Sequence, residues 1–286
     1  MPNSDSTNET NKRKITVLIT CFNRKIYLQR AIESVLRQNF PKNLVELIVV
    51  KSFIDRELDS SIEKEGIFQI IVEEEANIGY MLAKGIEASS GEIICFLDDD
   101  DVFLPNKLSM VLKSFELDGL TYYHNSNIRL RDNGGKAVSP LYNMYKTTKS
   151  FLGDFSRVDD IAYTLYKLDV FNLSSISVKR DALISNIEEI RQIRESTDYM
   201  MFYVSMNFGG KFFIDDKITS IYYIHNNSQM RPDRGQQLYS KRLLKLAEGQ
   251  IEVHEFALKI LSCRVGNKNN PVNGFIYPDF PNFYHH

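Results

Sequence analysis

From Lys14 onward, short apolar runs alternate with stretches whose apolar residues recur at helical spacing. Lys14–Cys21 (KITVLITC) is apolar and β-branched along its length, the pattern of a strand buried on both faces. Ile26–Gln38 follows as a helix, and Pro41 closes it. Val45–Lys51 and Phe68–Glu73 read as a second and third strand, Tyr80–Ala88 as a helix, and Glu92–Leu97 as a fourth strand. Pro105 then opens a helix over Asn106–Leu117, since proline suits a first helical turn. This alternation predicts βαβ units, and therefore an α/β fold with a mostly parallel sheet and helices on both faces. Such sheets bind ligands at the carboxyl ends of their strands. The positions to inspect come just after Cys21, Lys51, Glu73 and Leu97.

The second half is less regular. Thr121–Leu130 predicts a strand, and Asp132-Asn133-Gly134-Gly135 a turn. Residues 136–172 are rich in Tyr, Lys and Asp and only weakly periodic; a segment of that kind is expected to serve as a lid or to bind a second substrate. Ser174–Arg180 resumes the order, followed by helices over Asp181–Ile193 and Thr197–Met206 and two short strands, Lys211–Ile214 and Ile218–Ile224. Gln236–Ser262 reads as a long amphipathic helix of mixed charge, packed on the domain or lying against a membrane surface, with packing favoured because Glu248, Glu252 and Glu255 dilute its basic face. The chain thus divides into a polar, disordered lead-in at 1–13, a main domain at 14–235, and a C-terminal helical extension and tail at 236–286.

Composition narrows the function. With 35 basic against 37 acidic residues the net charge is −2, which argues against nucleic acid as the partner. The three cysteines, Cys21, Cys95 and Cys263, share no metal-ligand spacing; Cys21 and Cys95 fall in apolar runs and read as buried reduced thiols of a cytosolic protein. There is no apolar run long enough to cross a bilayer, and the amino terminus lacks the apolar centre of a signal peptide. The expected location is the cytoplasm, with peripheral contact at the inner face of the membrane.

The strongest chemical signal is Phe96-Leu97-Asp98-Asp99-Asp100-Asp101. Four consecutive carboxylates at a strand's carboxyl end repel one another unless a cation sits among them. Their oxygens suit Mg²⁺ or Mn²⁺, which can also bridge nucleotide phosphates. A solvated acidic turn at the head of a helix is the plainer alternative, weakened by the position directly after a buried strand.

Several motifs in order resemble family 2 glycosyltransferases of the GT-A fold. Val17-Leu18-Ile19-Thr20-Cys21-Phe22-Asn23-Arg24 is similar to that family's first-strand signature, with the helix Leu28 to Gln38 after it. Asn77-Ile78-Gly79, Ala83-Lys84 and Gly91-Glu92-Ile93 resemble the next block, and Phe96 to Asp101 followed by Pro105-Asn106-Lys107-Leu108 the acidic motif and its helix. The resemblance is specific over 14–117, looser over 174–231, and absent over 132–172 and beyond 235.

It implies a metal-dependent, inverting transfer of a sugar from a UDP- or GDP-sugar to a hydroxyl of a glycan, polysaccharide or glycolipid. Residues 14–131 would form the donor half and 132–235 the acceptor half. Thr20, Phe22 and Asn23 would hold the donor nucleotide, with Asn77 and Gly79 lining its pocket and Asp99 beside it. Lys84 would offset phosphate charge. Asp98 and Asp100 would bind the cation, which His225 could also reach. Asp198, in Ser196-Thr197-Asp198-Tyr199, stands where the family has its general base, with Glu195 as the weaker substitute. Each residue also has a plain structural reading: a turn for Asn23, helix starts for Gly79 and Asp198, a solvated face for Lys84, a surface position for His225. One departure stands out. The family usually has two acids and a glycine after its second strand, one acid reading the base; here the sequence is Val49-Val50-Lys51-Ser52-Phe53-Ile54-Asp55, leaving Asp55 to substitute. Two rivals follow: a sugar nucleotidyltransferase, disfavoured by the lack of a glycine-rich basic loop after the first strand, and a binding protein with a decayed site.

Overall fold

A computed structural model describes residues 14–22, 24–73, 76–132, 137–140, 150–154, 172–225, 244 and 247–259. Its first strand, β1 (Ile15–Cys21), is buried at every position, as its continuous apolar sequence requires. It pairs in parallel with β2 (Val45–Lys51) on one side and β4 (Ile93–Asp98) on the other, and β3 (Phe68–Ile71) extends the parallel array from β2.

Beyond β4 the sheet changes direction. β9 (Ile176–Lys179) pairs antiparallel with β4 and with β6 (Leu120–Asp132), and β10 (Lys211–Ile224) runs parallel to β6. Short strands β5 (Val102–Phe103), β7 (Ala137–Pro140) and β8 (Phe151–Gly153) attach antiparallel to β10, β6 and β10. The main order is β3-β2-β1-β4-β9-β6-β10-β5. These directions bring the carboxyl ends of β1, β2, β4 and β10 and the amino end of β9 to one edge.

Helices cover both faces. α1 (Lys25–Leu36), α2 (Arg56–Lys64) and α4 (Lys107–Ser114) pack with Val17, Ile19, Val49 and Leu97 of the sheet. On the other face, α3 (Ile78–Ala88), α5 (Arg180–Ile184), α6 (Ile187–Gln192) and α7 (Thr197–Phe208) pack with Leu18, Val50, Phe96 and Ile176. The alternation of Val17 and Ile19 against Leu18 is the strand's period of two, filled with apolar residues on both sides. A final helical segment, 247–259, buries Val253 and Ala257 against the second face and sets His254 edge-on to Tyr199 and Tyr203 of α7. This is the packed outcome expected for that part of 236–262; the rest of that expectation lies largely outside the described residues.

Four details differ from the sequence reading. Lys211–Ile224 is one strand, because Asp215-Asp216-Lys217 is absorbed as an irregularity in its pairing with β6 and not as a break. Asp181–Ile193 is split into α5 and α6 at Ser185-Asn186, where the Asn186 side chain donates to Ala182 O at 2.9 Å. Helix α2 was not anticipated; its apolar face is only Leu58 and Ile62, and its start is set by Asp55, whose carboxylate accepts from Leu58 N at 3.2 Å. Within 136–172, read as lacking regular structure, the described parts include β7 and β8.

Gly79 shows how closely α3 meets α6. Its amide donates to Ile193 O at 3.0 Å, and a Cβ added there would stand 2.2 Å from Ile190 O. Backbone cannot yield as a side chain can. Gly79→Ala should therefore destabilise the protein by about 1–3 kcal/mol, against the gain of up to ~1 kcal/mol that the same change brings in an open helix. Thermal unfolding reads the sign directly: a melting temperature at or above wild type would disprove the tight contact.

Candidate active site

At the shared edge, β4 ends in Asp98 and the next three carboxylates form a turn closed by Asp101 N donating to Asp98 O at 3.1 Å. Asp99, Asp100 and Asp101 are buried and Asp98 is half-buried. Thr20 lies directly beside Asp98 in the β1–β4 register. Each carboxylate has its own surroundings. Asp101 is held from two elements: Ser174 Oγ donates to it at 2.5 Å and Tyr223 N of β10 at 3.0 Å. Asp99 accepts from the Cys21 thiol at 3.1 Å and from Arg24 Nη2 at 2.5 Å. Asp100 Oδ2 meets Arg24 Nη1 at 2.7 Å and His225 Nε2 at 2.9 Å, and its carbonyl accepts from Arg30 Nη2 at 3.0 Å. The His225 ring is buried and stacks on Tyr27 with centroids 4.3 Å apart.

The electrostatics follow from this placement. Burial, then the charges of Asp100 and Asp99, pushes Asp98 well above the ordinary carboxylate range, and Asp198 adds to the push. Burial also raises Asp99 against the opposing pull of Arg24, and raises Asp101, with Asp100 and Asp98 adding to it. Asp100 is the exception: despite burial, its hydrogen bond to His225 and the charge of Arg24 hold it below that range. Carboxylate oxygens of Asp98, Asp100 and Asp101 lie within 4.8 Å of one another, a donor set of hard oxygens that fits a divalent cation such as Mg²⁺ or Mn²⁺. A cation there would relieve the repulsion that raises Asp98.

The residues expected from the sequence fall into three groups. Thr20, Asp98, Asp100, His225 and Asp198 converge on the acidic turn; Asp198, in the first turn of α7, is near enough for its charge to act on Asp98. Phe22 is exposed just beyond β1, and Lys84 is half-buried, with its ammonium 5.4 Å from the Tyr80 ring. A third group is engaged in structure. Asn77 caps α3 by accepting from Tyr80 N at 2.7 Å, Gly79 is sealed against α6, and Asp55 caps α2 while pairing with Lys25 at 2.7 Å. The side of Gly79 that a Cβ would occupy faces the α6 backbone. Asp99 likewise turns inward to Cys21 and Arg24. Asn23 lies outside the described residues.

Lys51, which interrupts the expected acidic pair, is the last residue of β2 and turns toward α2. It is fully buried, pairs with Asp59 at 2.7 Å and donates to Phe53 O at 2.7 Å. The sequence reading gave no role to Arg24, Arg30, Ser174 or Tyr27. Arg24 carried the clearest signal, a cation just past the first strand of a sheet whose fourth strand ends in four acids.

The sequence profile described as Glycosyl transferase family 2 matches residues 16–218. An uncharacterized glycosyltransferase of Rickettsia bellii is 32% identical over 124 residues, 42% of this chain and 18% of that protein. The GalNAc(5)-diNAcBac-PP-undecaprenol beta-1,3-glucosyltransferase of Campylobacter jejuni is 31% identical over 112 residues, 35% of this chain and 34% of that protein. The matches therefore span about a third or less of these relatives. Among solved structures, S. aureus TarS 1-349 in complex with UDP-GlcNAc is similar with a TM-score of 0.57 at 16% identity, covering 87% of this chain and 73% of that one. That likeness concerns the fold, which is the GT-A-type α/β arrangement expected from the sequence. With the profile spanning the parallel strands, the acidic turn and α7, the chain belongs to Glycosyl transferase family 2.

Proposed function

We propose that this chain transfers a sugar from a nucleoside diphosphate donor to an acceptor hydroxyl, with inversion at the anomeric carbon and in dependence on Mg²⁺ or Mn²⁺. The observation that carries the reading is the meeting of two carboxylate systems, the acidic turn after β4 and Asp198 at the head of α7, close enough for one to act on the other's charge. An in-line displacement needs both: stabilisation of a departing diphosphate, and a base for the attacking hydroxyl.

Asp98 and Asp100 would hold the cation, which when bound supplies positive charge to the leaving diphosphate. Thr20 and Phe22 at the end of β1 would bind the nucleotide, and Asn23 is assigned with them from the sequence. Lys84 would add charge on the α3 side. His225 holds Asp100 from behind and is assigned to orient that ligand, as a partner of a ligating side chain does. Asp198 would take the acceptor's proton as its oxygen attacks the sugar. The donor class is supported by the TarS structure, which holds UDP-GlcNAc. A lipid-linked or glycan acceptor is supported by the Campylobacter jejuni relative, named as a glucosyltransferase of GalNAc(5)-diNAcBac-PP-undecaprenol. Residues 14–131 would then serve the donor and 132–235 the acceptor, with 236–286 as an added helical extension. Among the described residues no helix is long and apolar enough to cross a membrane; a lipid-linked acceptor would be met by peripheral contact at the inner face of the membrane.

Three outcomes follow. In calorimetry, UDP should bind with Mg²⁺ or Mn²⁺ present and at least tenfold more weakly in EDTA, because an uncompensated acidic turn repels the diphosphate. Asp98→Asn should remove most of that metal dependence, and equal affinity with and without chelator would end the metal assignment. UDP and GDP should differ by less than about a hundredfold in affinity, since Lys51 is buried against Asp59 and Asp55 is committed to capping α2. A larger preference would show that another group reads the base.

Asp198→Asn should lower transfer by about 10²–10⁴ while leaving donor affinity and melting temperature close to wild type. Asparagine keeps the side chain's shape and cannot take the proton at neutral pH. A variant that transfers normally would move the search for the base to Glu195.

A further inference from the structure

The acidic turn already holds a cation of its own. The Arg24 guanidinium spans Asp99 Oδ1 and Asp100 Oδ2 from the segment between β1 and α1, and its side chain is 26% exposed where those of Asp99 and Asp100 are 2% and 12%. The two anchors are unequal. Asp99 is buried and fixed on its other oxygen by the Cys21 thiol, whereas Asp100 presents the same Oδ2 to Arg24 and to His225 and belongs to the three-carboxylate donor set. A divalent cation on Asp100 would therefore contest the contact made by Arg24 Nη1.

We propose that Arg24 is the resting counter-ion of the acidic turn, released from Asp100 when the divalent cation binds and then turned toward the diphosphate of the donor. This rests on the metal-dependent reading of the site. Asp99 keeps its hold on Nη2, so the guanidinium pivots about that contact without leaving a buried carboxylate uncompensated. The same planar fork of N–H donors fits a carboxylate pair and a diphosphate equally well. Cation binding alone is thereby opposed by Arg24, and nucleotide binding afterwards is assisted by it. The residue makes the two events cooperative.

The test uses the full chain with Mn²⁺ alone, titrated by electron paramagnetic resonance, and with UDP at saturating Mn²⁺, titrated by calorimetry. Arg24→Met should bind Mn²⁺ alone about tenfold more tightly than wild type, through loss of a like charge at the site, and should bind UDP at least about tenfold more weakly. A residue that only braced the turn would leave both affinities weaker when removed, so unchanged or weakened Mn²⁺ binding in a variant that melts as a folded protein overturns the proposal. Should Arg24→Met fail to fold, Arg24→Lys retains a charge that cannot span both carboxylates. Its Mn²⁺ affinity should exceed wild type, and equality or weakening overturns the proposal in that variant. A wild-type chain that binds no Mn²⁺ with or without UDP would instead overturn the metal-dependent reading beneath it.

Discussion

Four adjacent carboxylates at the buried edge of a sheet are the constraint around which this molecule is organised. Isolated carboxylates would be lost to protonation in such a place, since burial and mutual repulsion both favour the neutral form. The chain answers with a separate set of partners for three of them, Arg24 being shared by two. Arg24 and the Cys21 thiol meet Asp99, Arg24 and His225 meet Asp100, and a serine and a main-chain amide meet Asp101. Asp98, at the strand's last position, is raised by burial and by the charges of Asp100 and Asp99, with Asp198 adding to them. A structure built merely to be stable would not concentrate charge in this way. The arrangement fits the cation-binding role proposed for it.

The partners come from elements far apart in the chain, and the sheet's topology is what assembles them. The antiparallel insertion of β9 between β4 and β6 puts Ser174 next to the turn, and the parallel run of β10 beside β6 carries Tyr223 and His225 to the same edge. Behind the turn lies a buried polar layer. Lys107 donates to Asn125, whose amide donates to Ser220 Oγ at 2.9 Å, and Ser220 and Ser175 hydroxyls are 3.2 Å apart. Burial pushes the Lys107 ammonium down to about 8. Buried polar groups left partly satisfied are costly, so this layer ties α4, β6, β10 and the turn before β9 to one another.

Where a signal is local, the sequence was readable. β1, β2 and β4 are apolar on both faces, and such runs have few alternatives to a central parallel strand; the acidic run at the end of β4 needs only the adjacent strand to be interpreted. Pairings across the fold were not readable. Asp101 is 73 positions from Ser174, and Asp100 is 76 from Arg24 and 125 from His225, distances at which no pattern of spacing survives. Gly79 and Asn77 illustrate a different limit. Both carry family-like signatures, yet each is explained by a backbone contact or a cap, because the residues that start a helix near a ligand are also those that start a helix anywhere. Lys51 was legible as a departure but not as a buried ion pair, since its partner Asp59 lies on a helix with too few apolar positions to announce itself.

The proposed base is held by a separate device. Ser196 adopts φ 56° and ψ 43°, the one left-handed non-glycine residue among the described residues, at the point where the chain turns into α7. Such a conformation persists only where the surroundings enforce it. Here Met200 to Met206 are all buried, so the helix axis is fixed by its core and the entry must bend to meet it. The segment 247–259 closes the outer side, with His254 on Tyr199 and Gly249 against Glu195. Asp198 is fixed by the packing of α7, and its carboxylate accepts from Tyr199 N at 2.9 Å. In the proposed transfer, proton removal and diphosphate departure would call for a constant separation between two carboxylate systems of like charge. Elements packed into one core, as Phe96 of β4 is with Met200 and Met206 of α7, can maintain that separation where a flexible loop would let the charges move apart.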